Sequence, residues 1–156
     1  MKQLKTLLLT LFLSVLLDQI IKIVVSYNMG INDTISIINN FFSITYVTNI
    51  GAAWSILSGG RILLILLAIL AINLIYFMFI YKKEIDKKNQ IFYGLLLGGI
   101  IGNLIDRIVF GYVIDYLDFN IFGYNFPVFN LADILITLSV IFIVIFSKVK
   151  NENSSR

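Results

Sequence analysis

Four long apolar runs constrain this chain more than any other feature. They cover residues 4–25, 62–81, 91–110 and about 131–148. A helix needs about 20 apolar residues to cross the hydrocarbon layer of a bilayer. None of the four runs contains proline, and open strands cannot cross lipid because their backbone groups would go unpaired. The runs therefore predict four transmembrane helices. Composition agrees: 59% of the residues are hydrophobic and only 13% are charged. A water-soluble fold of 156 residues would lack the polar side chains to cover its surface. That excludes a disordered chain, a nucleic-acid-binding domain and a conventional soluble enzyme. The length predicts one domain over residues 1–156.

Lys2 and Lys5 before the first run give it the look of a signal peptide. The run is too long for that, no small-residue cleavage site follows it, and Asp18 and Lys22 interrupt its far end. It is read as a retained helix. Basic residues then set the orientation. Lys2, Lys5, Lys82, Lys83, Lys87, Lys88, Lys148, Lys150 and Arg156, nine of the twelve, fall on one side of a four-span threading. That side is expected to be cytoplasmic and to hold both termini.

The outer segments differ in character. Residues 26–61 include Thr34–Thr48, rich in β-branched and aromatic residues with an Asn39-Asn40 turn signal. This predicts a small extracytoplasmic β-sheet between helices one and two, lying against the outer membrane face. Residues 111–129 hold Gly111, Gly123, the only proline and several aromatics. They read as an interfacial loop.

The chain has no cysteine and no histidine. This removes disulfides, thiolate and imidazole metal sites, and every Ser-His or Cys-His triad. A carboxylate-only metal site stays open on this count, but no metal or cofactor is expected. Ionisable groups at membrane depth are costly and mark function by default. Here they are Asp18, Lys22, Asp106, Arg107, Asp115 and Asp133, all near the outer ends of the runs.

Asp18 and Lys22 share one helix face, either as an ion pair with Lys22 snorkelling outward or as support for a site. On the third helix Gly99, Asn103 and Arg107 share a face. Gly98 and Gly102 there form a small-residue pair that admits a close backbone. Asp106 reads as a partner for a nearby cation. Asn130 is a candidate N-cap for the fourth helix, which puts Asp133 in its first turn. The end of helix three and the start of helix four share one membrane face, so Asp115 and Asp133 can meet. Two carboxylates sharing a site separate their proton affinities, so one holds a proton while the other takes one from water. The competing reading is a dipole-favoured helix-start Asp and an unrelated loop Asp.

Asp18-Gln-Ile-Ile-Lys22, Asn49-Ile-Gly-Ala-Ala-Trp54, Gly102-Asn-Leu-Ile-Asp-Arg107, Val113-Ile-Asp-Tyr116 and Phe126-Pro-Val-Phe-Asn-Leu-Ala-Asp133 occur in this order. Together they make the chain resemble the lipoprotein signal peptidases (signal peptidase II), from the first helix to the fourth. The resemblance implies an aspartic endopeptidase of the bacterial cytoplasmic membrane, acting at its extracytoplasmic face. Its substrates would be prolipoproteins whose lipobox cysteine carries a diacylglyceryl group, presented in membrane lipid. Globomycin-type cyclic peptides would inhibit it. The family's catalytic aspartates fall on Asp115 and Asp133. Its substrate-binding and support positions fall on Asp18, Lys22, Asn49, Gly99, Asn103, Asp106, Arg107, Asn130 and Ala132. The outer sheet would cradle the site, and the loop between helices three and four would close over it. Ile134 departs from the small residue common at that place.

Three rivals are weaker. A proton-coupled transporter would spread its charges through the membrane depth. A presenilin-like protease would show Tyr-Asp and Gly-x-Gly-Asp, where this chain has Asp115-Tyr116 and Leu131-Ala-Asp133. A purely structural four-helix protein would carry no catalytic pair.

Overall fold

The computed structural model describes residues 4–52, 56–81 and 86–154. Lys2, Trp54, Lys82, Lys83 and Arg156 lie outside them, as do the side chains of Lys148 and Lys150. The element order is α1 (Lys5–Asn28), β1 (Thr34–Ile38), β2 (Phe42–Asn49), α2 (Arg61–Tyr81), α3 (Lys87–Val109), β3 (Val113–Ile121), β4 (Tyr124–Asn125) and α4 (Leu131–Ser154). All four expected helices form. By length and composition α1, α2 as far as Met78, and α3 are long and apolar enough to cross a membrane. The apolar part of α4, Leu131–Phe146, is shorter.

The least hydrophobic of the helices, α3, is the one the others pack on: α1, α2 and α4 all lie against it. Glycines make the close approach to α1 possible. A Cβ on Gly94 would meet the Leu7 carbonyl and Thr10, one on Gly98 would meet Ser14, and one on Gly102 would meet the Asp18 carboxylate. The small-residue pair read from the sequence thus serves packing within this chain. Leu7, Ile75, Tyr93, Leu96 and Leu97 form one core cluster, toward the end of the bundle where α1 and α3 begin. Val25, Met29, Tyr46, Ile114 and Tyr116 join the end of α1 to the sheet. Leu8, Leu9, Phe12, Leu66 and Leu70 face outward and are exposed, as lipid-facing residues are.

The sheet corrects one expectation. It is antiparallel with four strands in the order β1-β2-β3-β4, and only two of them come from between α1 and α2. The segment read as an interfacial loop supplies β3 and β4. Asp115 and Asp118 interrupt the apolar pattern of Val113–Ile121, and Gly111 and Gly123 are turn signals at its ends. Both glycines do sit in turns, at φ +89° and +86°. The strand between them pairs with β2, whose edge would otherwise be open. The turn signal at Asn39-Asn40 is a turn, with Asn40 in the left-handed region at φ +59°.

Candidate active site

The site begins with a buried ion cluster. Asp18, Lys22 and Asp106 are each at most 1% exposed. Lys22 Nζ lies 2.9 Å from Asp18 Oδ2, 2.9 Å from Asp106 Oδ2 and 2.9 Å from Asn103 Oδ1. The Asp18–Lys22 ion pair forms as its spacing predicts, but Lys22 does not snorkel outward. The glycine stripe brings α3 so close that three oxygens surround the ammonium, and a paired, hydrogen-bonded charge tolerates burial. The two carboxylates also tie down other elements. Asp18 Oδ1 accepts from the Ala132 amide at 3.1 Å, and Asp106 Oδ2 accepts from the Ile114 amide at 3.1 Å. Gln19 Nε2 donates to Asp106 Oδ1 at 3.0 Å. The cluster therefore fixes α1, α3, the start of β3 and the start of α4 in one piece.

From that cluster, asparagine amides lead to the two aspartates. Asn103 accepts from Lys22 through Oδ1 and donates through Nδ2 to Asp133 Oδ1 at 2.8 Å. Asn130 donates to Asp115 Oδ1 at 2.6 Å and to Asn103 Oδ1 at 3.2 Å. Its Oδ1 accepts from the Asp133 amide at 3.0 Å, while its own amide donates to Asp133 Oδ2 at 3.3 Å. This reciprocal pair caps α4 as the sequence predicts. Asn49 Nδ2 donates to Asp115 Oδ2 at 2.9 Å. A register shift between Ile44 and Val47 precedes that contact, so that Val47 faces Asp115 and Asn49 faces Val113. Irregularities of this kind re-aim side chains beside functional sites.

All the sequence-predicted positions thus belong to one constellation. Asn49, Asn103, Arg107, Asp115 and Asp133 line a cavity of about 510 Å³, which Phe126, Phe129, Ile134 and Ile136 help to enclose. Asp18, Lys22, Asp106, Asn130 and Ala132 lie buried and hold the lining residues. Arg107 reaches across to the Gly51 carbonyl at 2.9 Å, so it secures the segment after β2. Residues the sequence reading missed are Gln19 and Tyr116. The Tyr116 hydroxyl accepts from the Leu131 amide at 3.1 Å, at the first turn of α4. Period-2 alternation through Asp115-Tyr116 would have placed that ring on the opposite face from Asp115.

Burial pushes the Asp115 carboxyl up to about 7, and the charge of Asp133 adds to the rise. Hydrogen bonds from Asn49 and Asn130 and the charge of Lys22 oppose it. Asp115 is therefore set to hold or release a proton near neutral pH. Two carboxylates sharing one cavity, one of them so poised, can pass protons to and from a water and a leaving group. Among the described residues no three Asp, Glu, His or Cys side chains gather as a metal site would need.

Gly99 supports this geometry from below. A Cβ there would stand 2.5 Å from the Ala132 carbonyl oxygen and 2.8 Å from Ile136 Cγ1. Backbone cannot yield as a flexible side chain can. Gly99→Ala is expected to push α4 from α3 and cost about 1–3 kcal/mol, seen as a lower melting temperature in detergent. An unchanged melting temperature would show that the contact has room to give.

The family model of Signal peptidase (SPase) II matches residues 10–149. The lipoprotein signal peptidase of Staphylococcus aureus strain JH9 is 40% identical over 131 residues, covering 84% of this chain and 80% of that protein. The lipoprotein signal peptidase of strain N315 shows the same identity and coverage. A bacterial membrane enzyme structure obtained by the in meso method at 2.3 Å superposes with a TM-score of 0.88 at 36% identity, over 97% of this chain and 92% of that one. A second such structure, at 1.9 Å, gives 0.81 at 38% identity over 90% of each chain.

Proposed function

The chain belongs to the signal peptidase II family, which cleaves signal peptides from lipoprotein precursors, and we propose that it does so as an aspartic endopeptidase acting through Asp115 and Asp133. One observation carries the reading: a single asparagine, Asn130, bonds to both carboxylates at the wall of one cavity. The pair works with one proton between its members. The ionised carboxylate takes a proton from water as the oxygen attacks the scissile carbonyl, and the protonated one gives its proton to the leaving amine. Asn49, Asn103 and Asn130 hold the carboxylates in place, which supplies rate through orientation. Arg107 holds the Gly51 segment beside the cleft.

All four helices cross the bacterial cytoplasmic membrane, with α4 as the fourth span and both termini on the cytoplasmic side. The excess of lysines at that end supports this orientation. The sheet and the cavity lie at the extracytoplasmic face. The apolar cavity walls and the surrounding lipid accept the diacylglyceryl chains of a lipobox cysteine. Globomycin-type cyclic peptides compete for the same space.

A cleavage assay in detergent tests the reading. Precursor peptide carrying the diacylglyceryl group is expected to be cut, and the same peptide without it to be cut far more slowly. Equal cutting of both would remove the lipid from the recognition. The pH profile adds a second expectation. Asp115 is protonated below about 7, so activity should fall as the pH rises through that value and the pair loses its shared proton. It should also fall at acid pH, when both members are protonated. A rate that kept rising above pH 8 would contradict the shared proton.

A further inference from the structure

The β3–β4 hairpin closes on two residues, Phe122 and Gly123, between the paired Ile121 and Tyr124. Both turn residues have positive φ, at +52° and +86°. Such a turn favours Asn-Gly, because asparagine tolerates the left-handed region. A phenylalanine there is strained, and its ring gains nothing from the fold: Phe122 is 105% exposed. The turn is nevertheless well braced. Asn120 Oδ1 accepts from the Gly123 amide at 2.9 Å, and Asn120 Nδ2 donates to Asn125 Oδ1 at 2.7 Å. A rigid support thus holds an aromatic ring out from the protein at a conformational cost.

The surroundings say what the ring meets. The Asn120 amide donates to the Phe41 carbonyl at 2.9 Å, so the β1–β2 turn lies beside this hairpin. Exposed Ile38, Phe41, Ile121 and Tyr124 extend the apolar patch around Phe122. The edge strand β1 is exposed along its whole length and presents Ile35, Ile37 and Ile38. No charged residue occurs between Thr34 and Gly60, and none between Phe119 and Ala132. An uncharged apolar edge in water invites aggregation, and proteins normally guard such edges with lysine, proline or a covering element. Exposed Tyr27, Ile31 and Ile35 also lead from the lipid-facing side of α1 toward β1, with the exposed Asp33 among them.

We infer that the β3–β4 hairpin is a lipid anchor, with Phe122, Ile121 and Tyr124 set into the interfacial layer of the outer leaflet. The inference rests on the proposed placement of the sheet at the extracytoplasmic face. Aromatic side chains favour that layer, where ring and headgroups meet. The anchor holds β3, and with it Asp115, at a set depth relative to a substrate embedded in the same leaflet.

The chain has no cysteine, so single cysteines take a spin label without background. Labels at Tyr124→Cys, Ser36→Cys and Leu66→Cys would be compared in phosphatidylcholine–phosphatidylglycerol vesicles holding the full chain. Collision with oxygen reports lipid, and collision with a water-soluble nickel chelate reports water. Leu66, exposed on α2, calibrates the bilayer. Ser36 pairs with Ser43, which faces Asp118 across the sheet, so it reports the hydroxyl-lined face. The label at 124 is expected to favour oxygen severalfold over the label at 36. Adding Phe122→Asn, which suits the left-handed turn, should move the label at 124 toward water. The anchor is overturned if the label at 124 matches that at 36, if Phe122→Asn leaves it unmoved, or if it is shielded from both reagents, as a protein partner would do. If Leu66 also reads as water-exposed, the membrane placement itself has failed, not the anchor alone.

Discussion

Asp115→Asn and Asp133→Asn should each stop cleavage of lipidated precursor, with a loss on the order of 10⁴-fold in turnover. The amide matches the carboxylate in size but neither takes a proton from water nor gives one to an amine at neutral pH. Asp115 accepts one hydrogen bond on each oxygen, from Asn130 and from Asn49. An amide in its place turns one acceptor into a donor, which faces another donor. That penalty is offset by removing a buried charge beside Asp133, so the substituted chain should still fold. Single-turnover kinetics beside a melting curve separates the two effects. A folded variant of either kind that kept activity within about tenfold of the parent would show that its aspartate does not do the chemistry. The double variant should be little worse than either single one, because a pair sharing one proton fails as a unit.

The second large effect is on stability. Lys22→Met removes the cation between Asp18 and Asp106 and leaves both carboxylates buried without it. Breaking a buried ion cluster from one side costs about 3–5 kcal/mol. Thermal unfolding in detergent should show that loss. Lys22→Arg should recover little, since a planar guanidinium does not fit a pocket built around one nitrogen with three oxygens at 2.9 Å. Neutralising all three together, as Asp18→Asn, Lys22→Met and Asp106→Asn, should destabilise less than Lys22→Met alone. A loss under about 1 kcal/mol for Lys22→Met would mean that water reaches the cluster and solvates what is left.

The helices and the start of α4 were legible because their signals are local. Apolar length marks α1 to α4, and Asn130 three residues before Asp133 is a capping spacing that the hydrogen bonds reproduce. The clustering of Asp18, Asp106, Asp115 and Asp133 was legible from cost alone, since charges at membrane depth need partners. The rest depended on contacts distant in sequence. Which side of α1 meets α3 decides whether Lys22 points to solvent or inward, and the chosen side follows from glycines more than 70 residues away. The second half of the sheet was obscured by Asp115 itself, because a buried acid breaks the apolar alternation that identifies a strand. Asn49 and Asn103 were read as substrate-binding or support positions, and their amides bond to the carboxylates. A side-chain amide can serve either role; the register of β2 on β3 decides for Asn49, and the packing of α3 against α4 decides for Asn103.

Asn130 has a consequence for how competence is gained. Its side chain reaches the acid on the strand, and its backbone and side chain together hold the acid on the helix. Asn49 and Asn103 each hold one of the acids, but Asn130 is the residue that bonds to both and so ties their positions together. A nascent bundle in which α4 has not yet docked presents two separate acids and no working intermediate between that state and the finished one. On the proposed mechanism activity requires α4 to be docked, so a partly inserted chain is expected to be silent rather than indiscriminate toward the peptides around it.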